Sequence, residues 1–202
     1  MPNALWTRII ILLAAGTWFV AALLMGVPVD QEWTKPLGLA SSVVVLLLLA
    51  FDSILWKFLP YKLVRVPKLG GTWKATLQSS FKDTDGEAAQ FACFLVVRQT
   101  YSSIHIEMLF PKSESVSTSA SIIKTDGTSE LWYSYRSEAH SLDRDGNPPH
   151  KGAVQLRIAM NGDTKLAGGY WTDRQTYGCI ETVEHKPTII NDYKTALGAF
   201  DN

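Results

Sequence analysis

The chain divides according to the period of its apolar positions. Residues 9–29 (IIILLAAGTWFVAALLMGVPV) carry no charge, and a helix of that length rises about 30 Å at roughly 1.5 Å per residue. A second run over 37–59 (LGLASSVVVLLLLAFDSILWKFL) stays apolar until Asp52 and Lys57. The pattern predicts two N-terminal transmembrane α-helices joined by a short link at 30–36. A cleaved signal peptide fits poorly. The first run exceeds the usual apolar region of roughly 7–15 residues, follows a single basic residue and leads into a second apolar run. A buried core helix fits the second run poorly, because residues 43–50 are apolar on every face.

From residue 67 the period falls to two. Alternating or short apolar runs predict strands at 71–79, 89–100, 103–110, 115–124, 130–136, 152–159, 165–173 and 178–183. Turn-forming clusters separate them: KDTDGE at 82–87, KTDGT at 124–128, LDRDGNPPH at 142–150 and NGD at 161–163. Antiparallel strands with short connections make a sandwich or an up-and-down barrel. The barrel is preferred because closure removes exposed edges. The expected fold class is therefore two transmembrane helices followed by an all-β domain, an eight-stranded antiparallel up-and-down β-barrel of lipocalin-like form. Alternation assigns Trp73, Ala75 and Leu77, then Ile104, Ile106 and Met108, then Val154, Leu156 and Ile158 to its interior. Eight strands enclose a space that side chains fill or that holds one small ligand.

Charge adds orientation. The link holds Asp30, Glu32 and Lys35, whereas Lys57 lies at the end of the second run, Lys62, Arg65 and Lys68 follow it, and Arg8 precedes the first. The positive-inside rule then places both termini in the cytoplasm. The expected domains are a cytoplasmic N-terminus (1–8), spans at 9–29 and 37–59 around an external link (30–36), a tether (60–66), a cytoplasmic barrel (67–185) and a tail (186–202). In the tail, Asn191 or Asp192 would cap a short helix that packs Tyr193, Leu197 and Phe200 on the barrel. Lysines and arginines equal aspartates and glutamates at 19 each, so no basic field favours long nucleic acid. In a reducing cytoplasm Cys93 and Cys179 are expected as buried free thiols.

Candidate chemistry concentrates near the end of the barrel. In LAGGYWTDRQTYGCIE, Tyr170, Thr172 and Arg174 share one strand face, and Trp171, Asp173 and Gln175 share the other. An aromatic ring, a hydroxyl and a guanidinium in register supply stacking, a neutral hydrogen bond and a planar donor fork for phosphate. Tyr133 and Tyr135 would add stacking surfaces. A structural alternative stands beside this one. In lipocalin-type barrels a Gly-x-Trp opens the first strand, here Gly71 to Trp73, and its tryptophan plugs one end beneath a late arginine, the place Arg174 would take.

The two short apolar runs, the PKLGGTW entry, the LWYSY strand and the GGYWTDRQTYGCIE close together resemble the two-transmembrane, β-strand-rich effectors of bacterial cyclic-oligonucleotide anti-phage (CBASS) systems. The resemblance implies a barrel that senses a cyclic dinucleotide made by a partner nucleotidyltransferase. It further implies ligand-induced homo-oligomerisation through membrane helices, loss of inner-membrane integrity and a multi-pass inner-membrane location. Tyr170, Thr172 and Arg174 match the family's closing motif. Trp73, Tyr133 and Tyr135 join them as candidate ligand contacts, and Arg98 and Arg136 as further phosphate partners. After Tyr135 the family tends toward Asn and Pro, where this chain has Arg136, Ser137, Glu138 and Ala139.

Ala22 and Gly26 have small-xxx-small spacing and, with Asp52, are candidates for helix assembly within the lipid bilayer; Asp52 also reads as a headgroup-level acid beside Arg8. Enzyme signatures are missing. His105, His140, His150 and His185 lack ligand spacing, and no glycine-rich phosphate loop opens a helix. No catalytic residue, metal or cofactor is expected. A membrane-tethered barrel carrying a lipid or other apolar ligand, and a filled barrel that binds protein through its surface, are the alternatives.

Overall fold

A computed structural model describes residues 4–24, 37–82, 88–125, 127–143, 147–160 and 163–201. The chain forms two compact units, residues 1–60 and 61–202. In the first, α1 (Ala4–Leu24) and α2 (Leu37–Ser53) pack against each other, followed by a 3-10 turn at Leu55–Phe58. Ala22 is buried between neighbours and Asp52 is half-buried, whereas Ile11, Leu12, Phe19, Leu23 and the run Val45 to Leu49 remain exposed.

The expected pair of transmembrane helices is corrected by this unit. Among the described residues no helix is long and apolar enough to cross a membrane. Arg8 lies inside α1, which shortens its uncharged part. At roughly 1.5 Å per residue the 17 residues of α2 rise about 25 Å, short of a hydrocarbon core near 30 Å, and Asp52 lies within them. The 3-10 turn then interrupts the stretch expected to complete the second span. Residues 25–29 of the first expected span, Gly26 among them, and the link 30–36 lie outside the described residues.

The second unit opens with a single helical turn, α3 (Tyr61–Val64), and continues into a closed barrel. Its strands are β1 (Gly71–Lys82), β2 (Ala88–Gln99), β3 (Ile104–Leu109), β4 (Ser113–Thr125), β5 (Thr128–Ala139), β6 (His150–Ala159), β7 (Lys165–Thr172) and β8 (Tyr177–Lys186). Each pairs antiparallel with its sequence neighbour, and β8 returns to β1. The turn residues 83–87, 126, 144–146 and 161–162 lie outside the described residues.

Alternation places the core where it is expected. Trp73, Ala75, Leu77, Ile106, Met108, Val154, Leu156 and Ile158 are buried in one cluster with Leu95, Leu131, Leu166 and Ile180, and Ile104 packs against it. β2 departs from alternation because both its faces are covered. Cys93, Leu95 and Val97 point into the barrel, while Phe94 and Val96 lie in a second cluster beneath α4 (Tyr193–Phe200). Asp192 caps α4 by accepting from the Thr195 N–H (2.9 Å). Ala196 and Phe200 face the sheet, and Leu197, expected to pack there, points outward instead.

One end of the barrel is closed. The segment before β1 folds across it, with Leu69 fully buried. The buried Gln99 amide accepts from the Leu69 N–H (2.8 Å) and donates to the Pro67 carbonyl (2.8 Å). Trp73 donates from Nε1 to the Leu69 carbonyl (2.9 Å) and stacks on His185, its cross-strand neighbour, with centroids 4.0 Å apart. Gly71 permits this closure. Its φ is +134°, and a Cβ there would come within 2.5 Å of His185 Nε2.

Candidate functional site

Among the described residues the opposite end is open. A cavity of about 830 Å³, within the roughly 300–1,000 Å³ of small-molecule sites, runs inward from the rim as far as Met108, Val154 and Ile180. Its walls carry Tyr135, Tyr170, Thr172 and Arg174 together with Ser79, Ser115 and Ser137. Among the described residues the rim is two-sided. Phe81, Phe91 and Phe110 line the arc of β1 to β3, while His150, Asn147 and Arg174 line the arc of β6 to β8, and Lys112 lies on the β3–β4 turn.

Two tyrosines reach the cavity because glycines lie opposite them. Tyr135 pairs with Gly152 across β5 and β6, and a Cβ on Gly152 would meet the Tyr135 phenol at 2.5 Å. Tyr170 pairs with Gly178 across β7 and β8, where a Cβ would meet its ring at 2.8 Å. Each ring thus lies over a missing side chain, which fixes its tilt into the lumen. Burial pushes the hydroxyls of both above the ordinary tyrosine range. They are neutral donors, and Tyr170 bonds the buried Ser79.

Arg174 owes its position to Thr172. The Thr172 hydroxyl accepts from the backbone N–H groups of Arg174 (3.2 Å) and Thr176 (3.3 Å) and lies 2.7 Å from the Thr176 hydroxyl. The turn also holds Gln175 at φ 62°. On its outer side, Asp173 accepts from the Lys151 N–H (3.1 Å) and donates its own N–H to the Lys151 carbonyl (3.0 Å). From this braced turn the Arg174 guanidinium reaches Asn147 Oδ1 (3.1 Å), a neutral acceptor. Lys112 pairs at 3.5 Å with Asp143, which also borders the cavity. His150 stands edge-on to Tyr135, with centroids 6.4 Å apart. Burial first, and the nearby Arg174 second, hold its imidazole below the ordinary histidine range, so it is neutral near pH 7.

The structure brings Tyr135, Tyr170, Thr172 and Arg174 together and separates the other candidates from them. Trp73 lies at the closed end. Tyr133 shares the inward face of β5 but is sealed deeper, with its hydroxyl on Met108 Sδ (3.3 Å). Arg98 points outward to Glu107 (2.7 Å) and Asn191 (2.6 Å), and Arg136 outward to Glu138 (3.0 Å). Since Arg174 and Trp73 occupy opposite ends, the tryptophan-beneath-arginine plug is not formed by this pair; His185 covers Trp73 instead. Cys93 is buried, its thiol pushed up to about 12 by desolvation, while Cys179 corrects its expectation by facing outward near Gln78. Lys112, Asn147, His150 and the three phenylalanines were missed because they converge from turns and strand ends far apart in sequence. The tyrosine–glycine cross-strand pairs were the one signal that would have pointed to this end.

Residues 64–183, which include every residue bordering the cavity, match the family described as "Cap15, cyclic dinucleotide receptor domain". The chain is also 25% identical over 150 residues to CD-NTase-associated protein 15 of Staphylococcus schleiferi, covering 72% of this chain and 77% of that protein. The class that fold and cavity define is a small-ligand receptor barrel. Within it, the chain belongs to the Cap15 cyclic dinucleotide receptor domain family, as a CBASS effector.

Proposed function

We propose that the open end of the barrel is the cyclic dinucleotide site, and that its occupancy switches the effector on. The observation that carries this reading is the two-sided rim: phenylalanines on one arc, Arg174 and His150 on the other, and Lys112 between. A cyclic dinucleotide presents the same division, with flat bases on a ring holding two anionic phosphates. Tyr135, Tyr170 and the rim phenylalanines stack bases. Arg174 offers a planar donor fork to one phosphate, and Lys112, freed from Asp143, a point charge to the other. The buried hydroxyls of Ser79, Ser115 and Ser137 stand in the walls as neutral partners. Because Tyr170, Thr172 and Arg174 line the cavity, a wholly apolar ligand such as a lipid fits it less well. A receptor family in turn favours signal recognition over an enzyme's turnover.

Downstream, ligand occupancy favours an associated form of the protein and ends in loss of inner-membrane integrity, with the barrel on the cytoplasmic side. Support comes from the apolar side chains left exposed along α1 and α2 and from the basic residues Lys57, Lys62, Arg65 and Lys68. A ligand shifts such an equilibrium only through its preference for one state, about 2.7 kcal/mol for each hundredfold. Calorimetric titration of the full chain with cyclic di-GMP, cyclic di-AMP and cyclic GMP–AMP tests the receptor reading; it is expected to find one saturable site for at least one of them. Heat indistinguishable from buffer for all cyclic dinucleotides would overturn it. Dye release from vesicles, read with and without the bound ligand, tests the downstream step, and leakage indifferent to ligand would refute it.

A further inference from the structure

The barrel closes through a narrow seam. β3 and β4 pair only at Glu107 with Val116, Met108 with Ser115 and Leu109 with Glu114. Beyond these positions β4 continues along β5 to Thr125, while β3 stays with β2. The strands part at a bulge between Ser117 and Ser119, where the Ile106 N–H donates to the Ser117 hydroxyl (2.9 Å) instead of a strand carbonyl. Residues 118–124 thereby present a row of main-chain donors and acceptors with no strand beside them among the described residues.

We propose that this edge is a homotypic interface: residues 118–124 of two copies pair antiparallel about a two-fold axis at Ser121, joining two barrels in one sheet. This deepens the proposed function by giving the surface through which copies associate, and it rests on that reading for the ligand's effect alone. An antiparallel edge is complementary to itself, since the two-fold turns every free N–H toward a free carbonyl. Ser121 is the midpoint of the free stretch, so this register uses all of it without running into β3.

The side chains suit a second copy. Edge strands are ordinarily guarded by proline or charge, and STSASII at 117–123 has neither. Lys124 is turned to the Tyr61 ring, 5.3 Å away, and would face Thr118 of the other copy rather than a like charge. Ile122, half-buried toward the lumen, would lie across from Ala120, so that each copy covers the apolar gap left in the other's seam. Pairing along one edge buries less than the roughly 1,600 Å² of a standard stable interface, so the contact by itself is weak and reversible, as a switched association requires.

Facing residues in such a pair have Cα atoms ~4.5–5.5 Å apart, within disulfide reach. In full-length protein carrying Cys179→Ser, Ser121→Cys is expected to form a disulfide-linked dimer on mild oxidation. Ser119→Cys, whose counterpart lies roughly 13 Å away, is not. Cyclic GMP–AMP, cyclic di-AMP or cyclic di-GMP, whichever binds, is expected to raise the yield several-fold. Ser121→Lys sets two ammonium groups face to face on exposed side chains. It is expected to weaken self-association at least tenfold while the monomer's ligand affinity and its thermal midpoint stay unchanged. Equal trapping at 119 and 121, association indifferent to Ser121→Lys, or ligand binding by a chain that stays monomeric would overturn the interface and leave the receptor reading standing. Selective trapping at 121 in a chain that binds no cyclic dinucleotide would uphold the interface and refute the receptor reading.

Discussion

The two ends of the barrel are built from the same eight strands and the same alternation, yet among the described residues one is filled and the other is hollow. At the closed end, Trp73 lies under His185, and Leu69 and Gln99 tie the incoming chain across the strands. At the open end, Tyr135 and Tyr170 lie over glycines, and the charged groups stand on turns around an unfilled space. The difference lies in the connecting chain at each end. A segment with its own buried partners covers one end, while at the other end the β7–β8 turn braces itself through Thr172 and, among the described residues, the lumen is left clear. Packing is therefore concentrated at one end of the barrel, and the proposed recognition site lies at the other.

The largest effect that would break this contrast is Trp73→Ala. Emptying the closed end is expected to cost about 3–5 kcal/mol in chemical denaturation while leaving the affinity of the folded molecules for cyclic dinucleotide unchanged. Loss of binding without loss of stability would show instead that Trp73 belongs to the ligand site. Arg174→Ala is expected to do the opposite. Removing a charged donor to phosphate costs about 1.5–3 kcal/mol, or roughly 10–150-fold in titrated affinity, with the unfolding midpoint unmoved because its partner in the free protein is the neutral Asn147. Gly152→Ala sharpens the comparison by touching both properties. Its methyl meets the Tyr135 phenol and the Trp171 carbonyl, so about 1–3 kcal/mol of stability is expected to go with a several-fold loss of affinity.

The smallest effect is titration of His150. Its folded pKa lies below the unfolded value of about 6.5, so its stability contribution is whole above that pH and is lost as pH falls through the folded value. Bound phosphate favours the imidazolium, so affinity is expected to rise over the same fall. His150→Gln should flatten both profiles, measured by thermal melts and by titration between about pH 7 and pH 5. Profiles identical to the parent protein's would remove His150 from the site.

Much of the barrel was legible in the chain alone. Alternation through Trp73, Ala75 and Leu77, through Ile106 and Met108 and through Val154, Leu156 and Ile158 gave the inward face, because the side-chain period of a strand is fixed at two. The same rule set Tyr170 and Thr172 on one face, and the cavity receives both; Arg174, expected beside them on the strand, reaches it from the turn that follows β7. That rule could not say at which end of the lumen a residue would lie. Trp73 and Arg174 looked like plug and partner by position in the sequence, but they are separated by the length of the barrel. The apolar runs near the N-terminus showed a further limit. Hydropathy counts residues, whereas crossing a bilayer depends on uninterrupted helix, which Arg8, Asp52 and the 3-10 turn curtail.

By itself the sequence determined the strands, their inward faces and the antiparallel order, because these come from local periodicity and short turns. Only the tertiary structure decided which end closes, that Lys112, Asn147 and His150 join Arg174 at the rim, and that β4 parts from β3 to leave a free edge. Those outcomes depend on where distant segments meet once the sheet curls shut, and no local pattern carries that information.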